Sequence, residues 1–166
     1  MSGVVVIVLL VGLLRIGEVL YAQRNARALI ARGGVEIGSA HYPLFVLLHG
    51  GWLLAIFWVV PGDTAIRWGW LGLFLLLQLG RVWVIASLGA YWTTRVITIP
   101  GEPLVRRGPY RFLRHPNYLV VALEIAVLPL VFGAWPLSLV FSLLNGALLA
   151  WRIRIEDRAL ASRREP

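Results

Sequence analysis

Five stretches of this chain are almost wholly apolar, and each is about as long as a helix: residues 4–21, 44–60, 66–88, 118–132 and 135–151. Such runs read as membrane-crossing helices, because a hydrocarbon core of ~30 Å takes roughly 20 residues at about 1.5 Å each. The fourth run falls short of that span, so it either tilts, starts earlier at Pro116, or enters without crossing. Composition agrees: 59% of the 166 residues are hydrophobic and 14% charged, against roughly 45–50% and about 25% in ordinary soluble domains. A cytosolic globule and a disordered chain are both excluded on that ground. The expected fold is all-α, one multi-pass membrane domain over residues 1–166. Three helices fall in 1–88, and a connection, a C-terminal helical hairpin about Gly133 and Ala134, and a tail fall in 89–166. With no cysteine, disulfides, thiolate zinc sites, iron–sulfur clusters and cysteine nucleophiles are excluded together, and no metal site is expected.

Charge predicts the sides. All sixteen basic residues are arginine, and the net charge is +8. Arg24, Arg27 and Arg32 lie between the first two runs, and Arg95, Arg106, Arg107, Arg111 and Arg114 between the third and fourth. Arg152, Arg154, Arg158, Arg163 and Arg164 follow the fifth, whereas the other two connections hold only Asp63 and Arg67. By the positive-inside rule the three basic segments face the cytoplasm and the N-terminus faces out. The short loops and small chain point to a prokaryotic plasma membrane. In so apolar a chain the basic excess marks those loops rather than a nucleic-acid surface, so no nucleic-acid partner is expected. No small-x-small cleavage site follows the first run, which is expected to stay as an anchor.

Ionisable groups inside such runs are costly and need a reason. Arg15 and Glu18 sit three apart on one helix face and can neutralise each other. Gln78 and Arg81 share the same spacing, and Arg81 can also snorkel toward the helix end. Glu124, between apolar neighbours, must meet a cation, a donor or water. It either bridges to Arg81 or Arg15, or belongs with Arg81 to the reacting site, and both residues are catalytic candidates. Asn145 reads as a helix–helix contact and His49 as core packing.

The connection after the third run concentrates hydrogen-bonding and aromatic groups beyond what topology needs. Tyr110, His115, Asn117 and Tyr118 fall within nine residues, beside a helix start whose free N–H groups favour an anion. In the tail Arg152 and Glu156 are four apart and either pair along the helix or serve a site; an acid at a helix C-terminal side opposes the dipole.

Gly108-Pro-Tyr110 followed by Arg114-His-Pro-Asn-Tyr118, a hairpin, and Arg152-x-x-x-Glu156-Asp157-x-x-Leu160 resembles the isoprenylcysteine carboxyl methyltransferase family of membrane enzymes. Arg24-Asn-Ala-Arg27 and Gly34-Val-Glu-Ile-Gly38 leading to His41-Tyr-Pro43 resemble its bacterial members. The resemblance implies S-adenosyl-L-methionine (SAM) in a cytoplasm-facing pocket. By position, Glu102, Pro103, Leu104, Val105, Tyr110, His115, Pro116, Asn117 and Tyr118 would line that pocket, with Arg95 as a further contact. Glu156 would hold the cofactor and Arg152 would meet the acceptor oxyanion. Asp157 is shorter than the glutamate usual at its position.

The residue types suit that chemistry. SAM carries a sulfonium, an amino group and a carboxylate, and needs an acid, a cationic or N–H partner and aromatic faces. Methyl transfer cancels charge between nucleophile and sulfonium, so a dry, positioned site speeds it without strong acid–base machinery. A carboxylate acceptor with pKa of about 3.5–4.3 requires no base. A phenol or enol would be ionised with help from Arg152 or Arg81. The resemblance implies a lipophilic acceptor, either a prenylcysteine carboxylate or a long-chain alkylpyrone or phenol hydroxyl, entering from the bilayer lipid. Two other classes compete: an NADPH-dependent membrane reductase of the sterol-reductase type, which shares a related C-terminal arrangement, and a non-enzymatic membrane module, which no inverted repeat supports.

Overall fold

A computed structural model describes residues 2–38 and 42–160. Five helices form: α1 (Gly3–Ala31), α2 (Tyr42–Val59), α3 (Trp68–Leu88), α4 (Pro116–Val131) and α5 (Trp135–Leu160). Four of them are long and apolar enough to cross a membrane, and α4, at 16 residues, is shorter. It does begin at Pro116, whose fixed φ and missing N–H suit a first helical turn. His41, Arg163 and Arg164 lie outside the described residues.

α1 differs most from its apolar run, continuing ten residues past Tyr21. Alanine, arginine, glutamine and leucine in that extension are strong helix formers, and apolarity alone does not register them. The extension is also packed. Ala22, Asn25, Ala26 and Leu29 are buried, and Tyr21 stacks on Trp92 with ring centroids 5.9 Å apart. Asn25 donates from Nδ2 to the carbonyls of Gly89 at 3.1 Å and Trp92 at 2.8 Å, tying α1 to the turn after α3.

Beyond α1 the chain forms β1 (Val35–Ile37), which pairs antiparallel with β2 (Val96–Thr98) in the register Val35↔Thr98, Glu36↔Ile97, Ile37↔Val96. An all-α reading omits this ribbon, since three-residue strands are too short for alternation to stand out. Arg95 Nη1 reaches Glu36 Oε2 at 3.1 Å beside it.

The core explains why α4 can be short. Val121, Ile125, Leu128 and Val131 of α4 pack with Val4, Val8 and Val11 of α1, Leu48, Trp52 and Ile56 of α2, and Phe74 of α3. α4 packs against both α3 and α5, and three residues join it to α5. With half of its residues buried against protein, it relies less on its own length, about 24 Å at 1.5 Å per residue, to match the bilayer. Leu9, Leu13, Leu76, Leu79, Leu139 and Leu143 face outward instead, as lipid contact requires. Trp58, Trp68 and Trp135 are exposed where α2 ends and α3 and α5 begin, the pattern of an interfacial aromatic belt.

Inside this bundle the charged groups close on one another. Arg81 donates to Glu18 from Nε at 2.7 Å and Nη2 at 2.6 Å, and to Glu124 from Nη1 at 2.8 Å. Arg15 lies 3.0 Å from Glu18 and 3.4 Å from Glu124, and donates to Gln78 Oε1 at 2.6 Å. Gln78 Nε2 completes the ring by donating to Glu124 at 2.7 Å. Two arginines thus offset two glutamates across α1, α3 and α4, so no net charge is buried. His49 sets its ring edge-on to Trp52 at 6.4 Å, and Asn145 is fully buried in α5.

Candidate functional site

At the arginine-rich end a cavity of about 640 Å³ opens between the α3–α4 connection, β2 and the later turns of α5. Its volume lies within the ~300–1,000 Å³ usual for small-molecule sites. The α3–α4 connection reaches it through a turn at Gly108, whose φ of +56° favours glycine. A Cβ there would also run into Ser87 Oγ and approach the Trp83 indole nitrogen to 3.3 Å. Arg107 pins the same turn by donating from Nε to the Ser87 carbonyl at 2.6 Å. Tyr110 is thereby set into the cavity wall, where burial and then the Glu156 charge raise its pKa and keep the phenol neutral.

His115 and Tyr118 come from the start of α4 and face Arg152 and Glu156 of α5. His115 stacks on Tyr118 with centroids 5.3 Å apart, and its Nε2 lies 3.1 Å from Asp157 Oδ1. Its Nδ1 is 3.5 Å from Glu156 Oε1. The hydrogen bond to Glu156, followed by its charge and by Asp157, raises the imidazole pKa against the opposing effect of burial. The Tyr118 hydroxyl donates to Glu156 Oε2 and accepts from Arg152 Nε at 2.8 Å. A direct Arg152–Glu156 pair, one expectation from their spacing, is replaced by this bridge through the tyrosine.

Arg152 is buried, and its other bond runs from Nη2 to the Thr94 carbonyl at 2.8 Å. Its guanidinium lies 5.2 Å from the centre of the Phe45 ring and 5.5 Å from that of Tyr118, within cation–π range of both. The charge is held by neutral groups, which leaves it available to an anion.

Most of the residues expected at the site meet here. Arg95, Pro103, Leu104, Val105, Tyr110, His115, Asn117, Tyr118, Arg152 and Glu156 all line the cavity. Glu102 stands outside the wall, accepting from Arg32 Nη2 at 2.6 Å and from the Tyr91 hydroxyl at 2.9 Å. Pro116 is buried as the first residue of α4. Arg81 and Glu124 belong to the intramembrane charge ring and do not line the cavity. Tyr91, Trp92, Arg106, Arg111 and Arg114 line it without having been singled out, because loop topology already accounts for arginines there. Phe45 is one aromatic residue in an apolar run, and no local signal marks it.

The wall suits a ligand with a positive centre, a negative group and a flat ring. Glu156 supplies the acid, the guanidinium groups the anion partners, and Tyr118 and His115 the ring faces. Asn117 Oδ1 and Trp92 Nε1 are buried without a hydrogen-bond partner, leaving one acceptor and one donor unspent in residues of the wall.

Comparisons with known proteins place the chain in a family. The family described as isoprenylcysteine carboxyl methyltransferase (ICMT) matches residues 70–162. The chain is 39% identical over 151 residues to the uncharacterized protein YpbQ of Bacillus subtilis strain 168, covering 88% of this chain and 89% of that protein. It is 26% identical over 144 residues to an uncharacterized protein of Haemophilus influenzae strain Rd, covering 83% of each. No solved structure matches. With a family match over more than half its length and a near-full-length relative, the chain belongs to the isoprenylcysteine carboxyl methyltransferase family of membrane methyltransferases.

Proposed function

We propose that this chain transfers a methyl group from SAM to an oxygen of a lipophilic acceptor, in the cavity at its arginine-rich end. That end faces the cytoplasm, the N-terminus faces the other side, and α4 with α5 forms the hairpin that carries the site. The observation supporting this most is the Arg152–Tyr118–Glu156 bridge, which holds an anion-ready guanidinium and a carboxylate apart within one cavity.

SAM supplies a methyl group on a positively charged sulfur. Glu156 holds the positive end of the cofactor, and the Tyr118 and His115 rings offer it π faces. Trp92 and Asn117 offer the unspent donor and acceptor. Arg152 meets the acceptor oxygen and keeps it anionic. For a carboxylate that is orientation alone; for an enol or phenol it also lowers the oxygen's pKa. Neither case demands a general base from the wall. Both relatives named above are bacterial, where prenylated proteins are uncommon, which favours the hydroxyl of an alkylpyrone or alkylphenol over a prenylcysteine carboxylate.

Calorimetric titration of the detergent-purified protein with S-adenosylhomocysteine, with NADPH as the comparison, tests this reading. Saturable binding of the homocysteine ligand alone is expected. Binding of NADPH alone would move the chain to the reductases, and binding of neither by folded protein would remove the cofactor assignment.

A further inference from the structure

The cavity wall is electrostatically lopsided. Five arginines line it, Arg95, Arg106, Arg111, Arg114 and Arg152, whereas Glu156 is the one acidic side chain among the described residues that do so. Arg95 is offset by Glu36, and Arg152 is held by rings and neutral oxygens. Arg106, Arg111 and Arg114 are exposed, and no described hydrogen bond or ion pair engages them. These three guanidinium groups leave a positive rim at the cavity mouth that no described acid neutralises, complementary to an anionic partner.

The residues between these arginines say what kind. Phe112 is 78% exposed and Leu113 is 46% exposed, an apolar tip flanked by Arg111 and Arg114. Their segment is tied to α3, because Gly108 seats against Ser87 and Trp83 in the last turns of that helix. Trp83 is itself 54% exposed, as a residue at a membrane interface is. Free phosphate would satisfy the arginines and leave the tip in water. An anionic phospholipid satisfies both at once, its headgroup on the guanidinium groups and its chains against Phe112 and Leu113.

We propose that Arg106, Arg111 and Arg114, with Phe112 and Leu113, form a binding site for one anionic phospholipid at the mouth of the cavity. The lipid would complete the rim on the bilayer side and balance the arginine excess of the wall. The site needs no bound cofactor, so it stands or falls separately from the methyl-transfer reading.

The test is retention of lipid by the full chain, reconstituted in nanodiscs of equal parts phosphatidylglycerol and phosphatidylcholine with matched acyl chains, then released and read by native mass spectrometry. The parent is expected to keep one phosphatidylglycerol over phosphatidylcholine by about ten- to hundredfold, a scale set by the attraction of three arginines to anionic lipid. Combined Arg106→Gln, Arg111→Gln and Arg114→Gln should remove the preference, while Arg24→Gln with Arg27→Gln on exposed α1 positions should keep it. Phe112→Ser alone, which leaves all charges in place, should weaken retention several-fold. Equal retention of the two lipids by the parent would overturn the proposal. So would equal loss in the Arg24 and Arg27 control, or displacement of the lipid by inorganic phosphate, which would reduce the site to a simple anion pocket.

Discussion

Arg152 and Glu156 lie one turn apart on α5, and the hydroxyl of Tyr118 stands between them. Opposite charges at that spacing ordinarily pair along the helix. Here a phenol from α4 takes one bond from the cation and gives one to the anion, so the two charges do not pair with each other.

Removing that hydroxyl should let the two charges meet. Tyr118→Phe is expected to weaken S-adenosylhomocysteine binding and to slow methyl transfer by about ten- to hundredfold, the scale of a lost bond to a charged group. Glu156→Ala should lose cofactor affinity, whereas Arg152→Ala should keep most affinity and lose turnover. Calorimetry separates the first effect from the second, and transfer of labelled methyl to prenylcysteine and alkylpyrone acceptors reads the latter. Unchanged affinity in Glu156→Ala would count against the assignment.

The raised pKa of His115 gives stability a direction with pH. Its imidazolium is favoured by Glu156 and Asp157 in the folded protein. That contribution is therefore complete below the unfolded value of about 6.5 and fades as pH rises through the higher folded value. The melting temperature of the parent, relative to His115→Gln, should fall over that interval and not below it. A difference independent of pH would show that the imidazole carries no proton there.

The charge ring in the bundle should behave as scaffold. Breaking a buried pair from one side costs about 3–5 kcal/mol, so Glu124→Gln and Arg81→Gln should each lower the melting temperature markedly. The double variant should lose less than the sum, because the two residues share a bond. S-adenosylhomocysteine affinity should follow the parent in the folded fraction. A variant that melts like the parent but fails in turnover would instead bring Glu124 or Arg81 into the chemistry.

Gly108 should resist replacement. Its positive φ and the approach to Ser87 both oppose a side chain, and together they are expected to cost about 1–3 kcal/mol in Gly108→Ala. Adding Ser87→Ala should recover part of that loss, since it removes the hydroxyl but not the backbone strain. Thermal melting of the two variants measures both parts.

A bilayer acts on each segment locally, and its demands are written along the chain. Lipid offers no hydrogen bonds, so a spanning segment must satisfy its backbone internally, and the apolar runs mark the helices within a few residues. The clustered Gly108, Tyr110, His115, Tyr118, Arg152 and Glu156 were legible too, as short motifs of recognisable spacing. What differed, the last ten residues of α1 and the β1–β2 ribbon, is where packing rather than apolarity holds the chain. Which polar groups meet is a matter of packing between distant helices. Arg15 meets Glu124 across 109 positions and Arg81 meets Glu18 across 63, and no local pattern selects among the carboxylates within reach of each. The same holds for Phe45 against Arg152, for Glu102 turned to Arg32 and away from the cavity, and for Tyr118 between two charges of one helix. Each depends on how helices distant in sequence are rotated and set against each other, and that is fixed by the packing of the whole bundle.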